Sequence, residues 1–352
     1  MISKIKKEIE KKVKFKVPQR WIERIIEAIL SSSNYWEILK LSHLPCVLVS
    51  EIIKIFQKKN FIRIENNEIF LTEKGEKLAQ KLSLSKIKKF PCKFCQGSGK
   101  EIEKFKNLLV FFKNEIKNAP LPQEIYDQAR VKEESCLLRF IFALEKGDVE
   151  GKEIIVLGAE DDYLGFLLAL SRKPKRVVVL DIDKRIIEFD KKMAKKHRIP
   201  LEAFVFDLRK KLPKKFLKKF DTFFSAPLET KKAIKGFLLK GVSALKRAGC
   251  AGYFDFSFAD TTFYKWHYLQ KLLLERKILI TDIISDFNEY LLWGYHEKTP
   301  AQKMAPVKKT PDINWFITSW WRIETLPGFK GENKEIKGKD FLTDKEAVTN
   351  VF

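Results

Sequence analysis

The chain has 352 residues, enough for two domains and a sizeable core. Its 69 Lys and Arg against 46 Asp and Glu give a net charge of +23, which leaves two readings: contact with a polyanion, or the Lys- and Glu-rich solvated surface of a thermophile-type protein. No apolar run reaches the ~20 residues of a membrane span, the start MISKIKKEIEKKVKFK lacks a signal-peptide core, and five cysteines argue against a disulfide framework, so the chain reads as cytoplasmic with no membrane contact.

In chain order, helical spacing predicts helices over residues 18–31, 35–41 and 47–59, the last with Val49, Ile52, Ile53 and Phe56 on one face. FIRIENNEIFLT follows as two β-rich runs joined at Asn66-Asn67, a hairpin signal, and Thr72–Lys81 returns to helix. Three helices, a β-wing and a helix predict a winged helix-turn-helix domain over residues 1–88. Residues 1–100 hold 22 Lys and Arg against 10 acids. The third helix can therefore be read as a nucleic-acid contact or as a packing module that reuses the fold.

Residues 89–147 form a CxxC segment and helical connector. Cys92 and Cys95 make a C-x₂-C pair, half of a structural zinc site, and no second pair exists in the chain. A zinc shared between two chains of a homodimer, a redox pair, and a glycine-rich turn with two idle thiols all fit. Helices are expected over residues 101–118 and 135–143.

From about residue 148 to 325 the pattern becomes that of a Rossmann-like α/β domain. Ile154–Leu157 is a short apolar strand, closed by Gly158 and then the acids Glu160, Asp161 and Asp162. A helix at Leu164–Leu170 leads to a second strand, Val177–Leu180, which ends in Asp181. Further strands are read at 203–206 (closed by Asp207), 221–225, 252–258, 278–284 and 315–322. Helices are read at 236–246 and 266–276. A dinucleotide fold places glycines in the first turn so that backbone N–H groups meet a pyrophosphate. Three carboxylates there would repel phosphate, so the turn predicts a phosphate-free nucleoside beside a cationic group. Asp181 is placed for ribose hydroxyls and Asp207 for the adenine amine, the order of acids seen in class I methyltransferases and aminopropyltransferases. Residues 326–352 are charged and weakly periodic, and read as a flexible tail.

These features together resemble the branched-chain polyamine synthase family, the N4-bis(aminopropyl)spermidine synthases. The resemblance rests on the winged helix, on Gly158-Ala159-Glu160-Asp161-Asp162 in the first turn, on Cys92 and Cys95 near the domain junction, on VVVLDID, and on the stretch Trp266–Tyr290. It covers residues 18–325. It implies aminopropyl transfer from decarboxylated S-adenosylmethionine to an amine of spermidine or a related polyamine, with methylthioadenosine released. It also implies that Gly158, Asp181 and Asp207 hold the donor, that Asp161 and Asp162 orient and deprotonate the amine, and that Glu160 and Glu229 bind substrate. One departure stands out. The family has Asp-Pro-Pro after the fourth strand where this chain has Ala226-Pro227-Leu228. The missing acid falls where an acceptor amine is expected, which predicts weakened or redirected transfer. Two other functions compete: an S-adenosylmethionine-dependent methyltransferase, and a DNA-binding regulator that senses a polyamine or nucleoside.

Overall fold

In the computed structural model, residues 2–88, 99–158 and 163–351 are described. A basic helix α1 (Ile2–Val13) precedes α2 (Gln19–Ser31), α3 (Tyr35–Ser42) and α4 (Cys46–Lys58). The Asn34 side chain caps α3 by accepting from the N–H groups of Trp36 and Glu37. The hairpin β1 (Ile62–Glu65) and β2 (Glu68–Leu71) turns through Asn66 and Asn67, whose φ angles of 52° and 64° are those a tight two-residue hairpin turn demands. Thr72 caps α5 (Glu73–Lys81). Gly75 lies so close to β1 that a Cβ there would stand 2.1 Å from the carbonyl oxygen of Phe61. The winged helix expected from the sequence is thus present.

Its third helix keeps one exposed stripe, Lys54, Gln57 and Lys58, and buries most of the rest of its surface. Along α4, Cys46, Leu48, Val49, Ile52, Ile53 and Phe56 are all buried. The Cys46 N–H donates to the carbonyl of Ala259 at 2.9 Å, and the apolar core around α4 runs on into Trp293, Trp315 and Val348 of the second half of the chain. Helical periodicity identified one apolar face, but the opposite end of this helix is covered as well.

Helices α6 (Lys106–Ile116) and α7 (Glu133–Glu145) lead into the α/β domain. Its elements are β3 (Glu153–Leu157), α8 (Leu164–Leu170), β4 (Arg176–Asp181), α9 (Lys184–His197), β5 (Leu201–Val205), β6 (Thr222–Ser225), α10 (Lys231–Ala244), β7 (Ala251–Ser257), α11 (Phe263–Leu274), β8 (Ile278–Glu289), α12 (Pro300–Met304) and β9 (Ile317–Thr325). The sheet order is β5-β4-β3-β6-β7-β9-β8, parallel from β5 through β7, with β9 antiparallel to both of its neighbours. Ile154 and Val156 pack under one layer of helices, and Ile155 and Leu157 under the other. The strand order reverses between β3 and β6, and in open α/β sheets the crevice at such a reversal is where ligands bind.

The sequence suggested a late strand beginning at Trp315. Instead the strand starts at Ile317, and Trp315 sits in the winged-helix core, where its Nε1–H donates to Nε2 of His296 at 3.0 Å. Residues 326–351 do not hang free as a tail. Glu332 N–H donates to Leu239 O, Ile336 N–H to Arg209 O, and Val348 N–H to the Asp260 carboxylate, while Phe341, Ala347 and Val348 are buried. The segment is an irregular strap without helical or strand period, so its few anchoring apolar residues leave no pattern among the charges. Among the described residues no helix is long and apolar enough to cross a membrane.

Candidate functional site

Two clefts open side by side at the carboxyl ends of the parallel strands. Gly158 ends β3 with φ +76°, and a Cβ at that position would lie 3.2 Å from the ring of Phe237. Gly158, Asp181 and Asp207 line the first cleft together, with Ile125, Ile182 and Phe237 as apolar walls. Asp181 is 6 % exposed, and its carboxylate accepts the Asp183 N–H at 2.7 Å, which fixes its rotamer at the end of β4. Asp183 in turn caps α9. Burial opposes its ionisation, but hydrogen bonds from Arg185 and Gln128 prevail and hold it below the usual carboxylate range. Asp207 is paired with Arg209, whose Nε lies 3.0 and 3.1 Å from its two oxygens. Against its own desolvation, that guanidinium keeps the carboxyl ionised below its ordinary range.

The second cleft combines acids and rings. Asp127, Glu229, Asp255 and Asp260 line it together with Tyr290, Trp293, Tyr295 and Phe316. The acids come from four unrelated places: a left-handed turn after Glu124–Tyr126, the loop after β6, the middle of β7, and the loop after β7. Their environments differ. Asp255 is neutralised by buried Arg139 at 2.8 Å and also accepts from the hydroxyls of Tyr290 and Thr318. Glu229 accepts from the N–H and hydroxyl of Ser257 at 2.7 and 2.6 Å; burial, then the charge of Asp260, still push it well above the usual range. Asp260 accepts from Val348 N–H and the Thr349 hydroxyl, and burial raises it to about 6. The Asp127 carboxyl has no hydrogen-bond or ion-pair partner among the described residues, and burial followed by repulsion from Asp260 pushes it well up. Three carboxyls raised together in one cavity mark a site short of positive charge.

Asp127 and Leu228 line both clefts, so the clefts meet there. Of the residues expected from sequence, Gly158, Asp181 and Asp207 fall in the first cleft and Glu229 in the second. Glu160, Asp161 and Asp162 lie outside the described residues, as do Cys92 and Cys95. Gly158, the last described residue before the acids, lines the first cleft. Among the described residues no group of three or more His, Cys, Asp or Glu is arranged for a metal. Ala226 lines the first cleft beside Gly158 and not the acidic one; the residues after it, Pro227, Leu228 and Glu229, reach the acidic cleft. The sequence missed Asp127, Asp255, Asp260 and the aromatic wall. Asp255 alone left a signal, a single acid inside the buried run GYFDFSF.

Comparisons with known proteins identify the family. Residues 107–349 match the family described as the branched-chain polyamine synthase A C-terminal domain. N(4)-bis(aminopropyl)spermidine synthase of Thermococcus kodakarensis is 40 % identical over 97 % of this chain and 98 % of that protein. The protein of the same name from Methanocaldococcus jannaschii is 37 % identical over 99 % of this chain and all of the relative. The crystal structure of the branched-chain polyamine synthase from Thermus thermophilus, in complex with N4-aminopropylspermidine and 5′-methylthioadenosine, superposes with a TM-score of 0.92 at 33 % identity, covering 99 % of this chain and 98 % of that one.

Proposed function

The chain belongs to the branched-chain polyamine synthase family, and on that premise we propose that it moves an aminopropyl group from decarboxylated S-adenosylmethionine to an internal amine of spermidine or a related polyamine. The observation that carries this is the meeting of the two clefts at Asp127 and Leu228: one has the acids and apolar walls a nucleoside needs, the other the carboxylates a polycation needs.

Asp181 takes the ribose hydroxyls of the donor. Asp207, already oriented by Arg209, takes the adenine edge. The acceptor's ammonium groups enter the acidic cleft, where Glu229 and Asp260 meet them. Asp255 contributes little net charge because Arg139 is bound to it. The reacting nitrogen lies at the junction, beside Asp127. Its lone pair attacks the methylene carbon next to the sulfonium. The C–S bond breaks with its electron pair going to sulfur, methylthioadenosine leaves, and the new ammonium gives up a proton to a carboxylate. Holding nitrogen, carbon and sulfur in line supplies much of the rate.

The packing of α4 against the second half of the chain supports a packing role for the winged helix. Incubation with decarboxylated S-adenosylmethionine and spermidine should release methylthioadenosine, and Asp161→Asn and Asp162→Asn should abolish the release. A wild-type protein that releases none would refute the proposal.

A further inference from the structure

Between β5 and β6 the chain reads LRKKLPKKFLKKF, residues 208–220, with seven cations and no acid. Leu212, Phe216 and Phe220 recur at every fourth residue and are buried in the same core layer as Ile155 and Leu157. The pairs Lys210-Lys211, Lys214-Lys215 and Lys218-Lys219 recur at the same interval, and all six lysines are exposed. The backbone that carries them is held in place. Leu212 exchanges hydrogen bonds with the Asn333 side chain at 2.7 and 3.0 Å, and the N–H groups of Lys218 and Lys219 donate to the carbonyls of Ser243 and Ala244 at 3.1 and 2.8 Å. A solvated surface of the thermophile type interleaves its lysines with acids. Here none of the six has a carboxylate at ion-pair distance among the described residues, whereas Lys196, Lys232 and Lys246 elsewhere each meet one at 2.6 Å. For the proposed transfer the stretch is a hindrance. It starts at Leu208 and Arg209, which line the donor cleft, and its uncompensated charge repels a polycationic acceptor.

We propose that this stretch is a docking face for the phosphate backbone of nucleic acid. Ammonium groups on long stems meet phosphates as point charges. A row of such pairs, held at a fixed interval, suits a polymer whose charges are themselves regularly spaced. Leu212, Phe216 and Phe220 are buried, so the stretch has no large ring to insert into a bilayer and no apolar groove to seat the side chains of an acidic peptide. With cations alone it reads charge and not base sequence. Binding releases counterions condensed on the polymer, about 0.9 for each duplex phosphate that a lysine meets. Docking also reverses the hindrance, because the lysines are then neutralised and the polyanion gathers polycations around the enzyme.

The test uses the full chain and a short fluorescent DNA duplex of mixed sequence, with anisotropy read at increasing salt and no donor or acceptor present. The wild type should bind with a dissociation constant of about 1–100 µM near physiological salt. The combined variant Lys211→Gln, Lys214→Gln, Lys218→Gln and Lys219→Gln should bind about tenfold more weakly or worse, and its slope of log affinity against log salt should be shallower by about three to four. Arginine at the same four positions should restore both. Lys184→Gln, Lys191→Gln, Lys192→Gln and Lys195→Gln together remove the same charge from α9, which packs on the opposite layer of the sheet, and should change little. If the first variant melts early, Lys214→Gln with Lys218→Gln replaces it, with about half the change in slope. The proposal is overturned by a wild type that does not bind, by an unchanged slope in the lysine-to-glutamine variant, by an equal loss in the α9 variant, by failure of arginine to restore binding, or by tighter binding to polyglutamate or phosphatidylserine vesicles than to the duplex. None of these results bears on aminopropyl transfer, which fails only if no methylthioadenosine is released.

Discussion

Replacing Asp127 by Asn isolates the junction of the two clefts. The carboxyl lines both, lacks a partner among the described residues, and is raised by burial and by Asp260. The amide keeps the shape and removes the charge. If Asp127 meets the reacting amine, the loss is one charge-assisted hydrogen bond, about 1.5–3 kcal/mol, or roughly tenfold to a hundredfold in kcat/KM for spermidine. Stability should move the other way. A carboxyl without a partner and repelled by its neighbour costs the folded state, so Asp127→Asn should melt no lower than wild type. Steady-state assays with varied spermidine and thermal melts of the empty protein give both numbers. A variant with wild-type kcat/KM, or one that loses activity only because its melting temperature has fallen, would refute the assignment of Asp127 to the reacting amine.

Other consequences can be checked directly. Asp181→Ala should weaken methylthioadenosine binding by roughly 1–3 kcal/mol in calorimetry, as loss of a charged hydrogen bond does; unchanged affinity removes Asp181 from the ribose. Ala226→Asp should raise the rate, and because position 226 lines the donor cleft the gain should appear in the KM for the donor; a gain confined to the acceptor, or a slower enzyme, contradicts that placement. The raised carboxyls of Asp127, Glu229 and Asp260 bind protons more tightly folded than unfolded, so the empty protein loses stability as pH rises above the ordinary carboxylate range, for Asp260 through about 6, and spermidine should raise the melting temperature more above that window than below it. If Cys92 and Cys95 of two chains share a metal, elemental analysis should find one zinc per two chains; one per chain excludes the shared site.

The nucleoside half of the site was legible in the sequence because its residues end regular elements. Asp181 and Asp207 each follow an apolar run, and Gly158 stands where a β-strand must turn sharply. The acceptor half was not legible, because Asp127, Asp255 and Asp260 are far apart in sequence and meet only through the packing of β7, β9 and a left-handed turn. Periodicity found the apolar face of α4 but not the tie of its first turn to Ala259, which is far away in sequence. Residues 326–352 read as a tail because a strap held by isolated anchors such as Phe341 and Val348 has no repeat to detect.

The central claim is that the acidic cleft presents an internal amine of the acceptor to the donor at Asp127. Fragmentation mass spectrometry of the product made from spermidine tests this most directly, because substitution at the internal nitrogen and extension of a terminal one give different fragments. The account predicts a branched product formed in step with methylthioadenosine. A linear product, extended at a terminal amine, would contradict it.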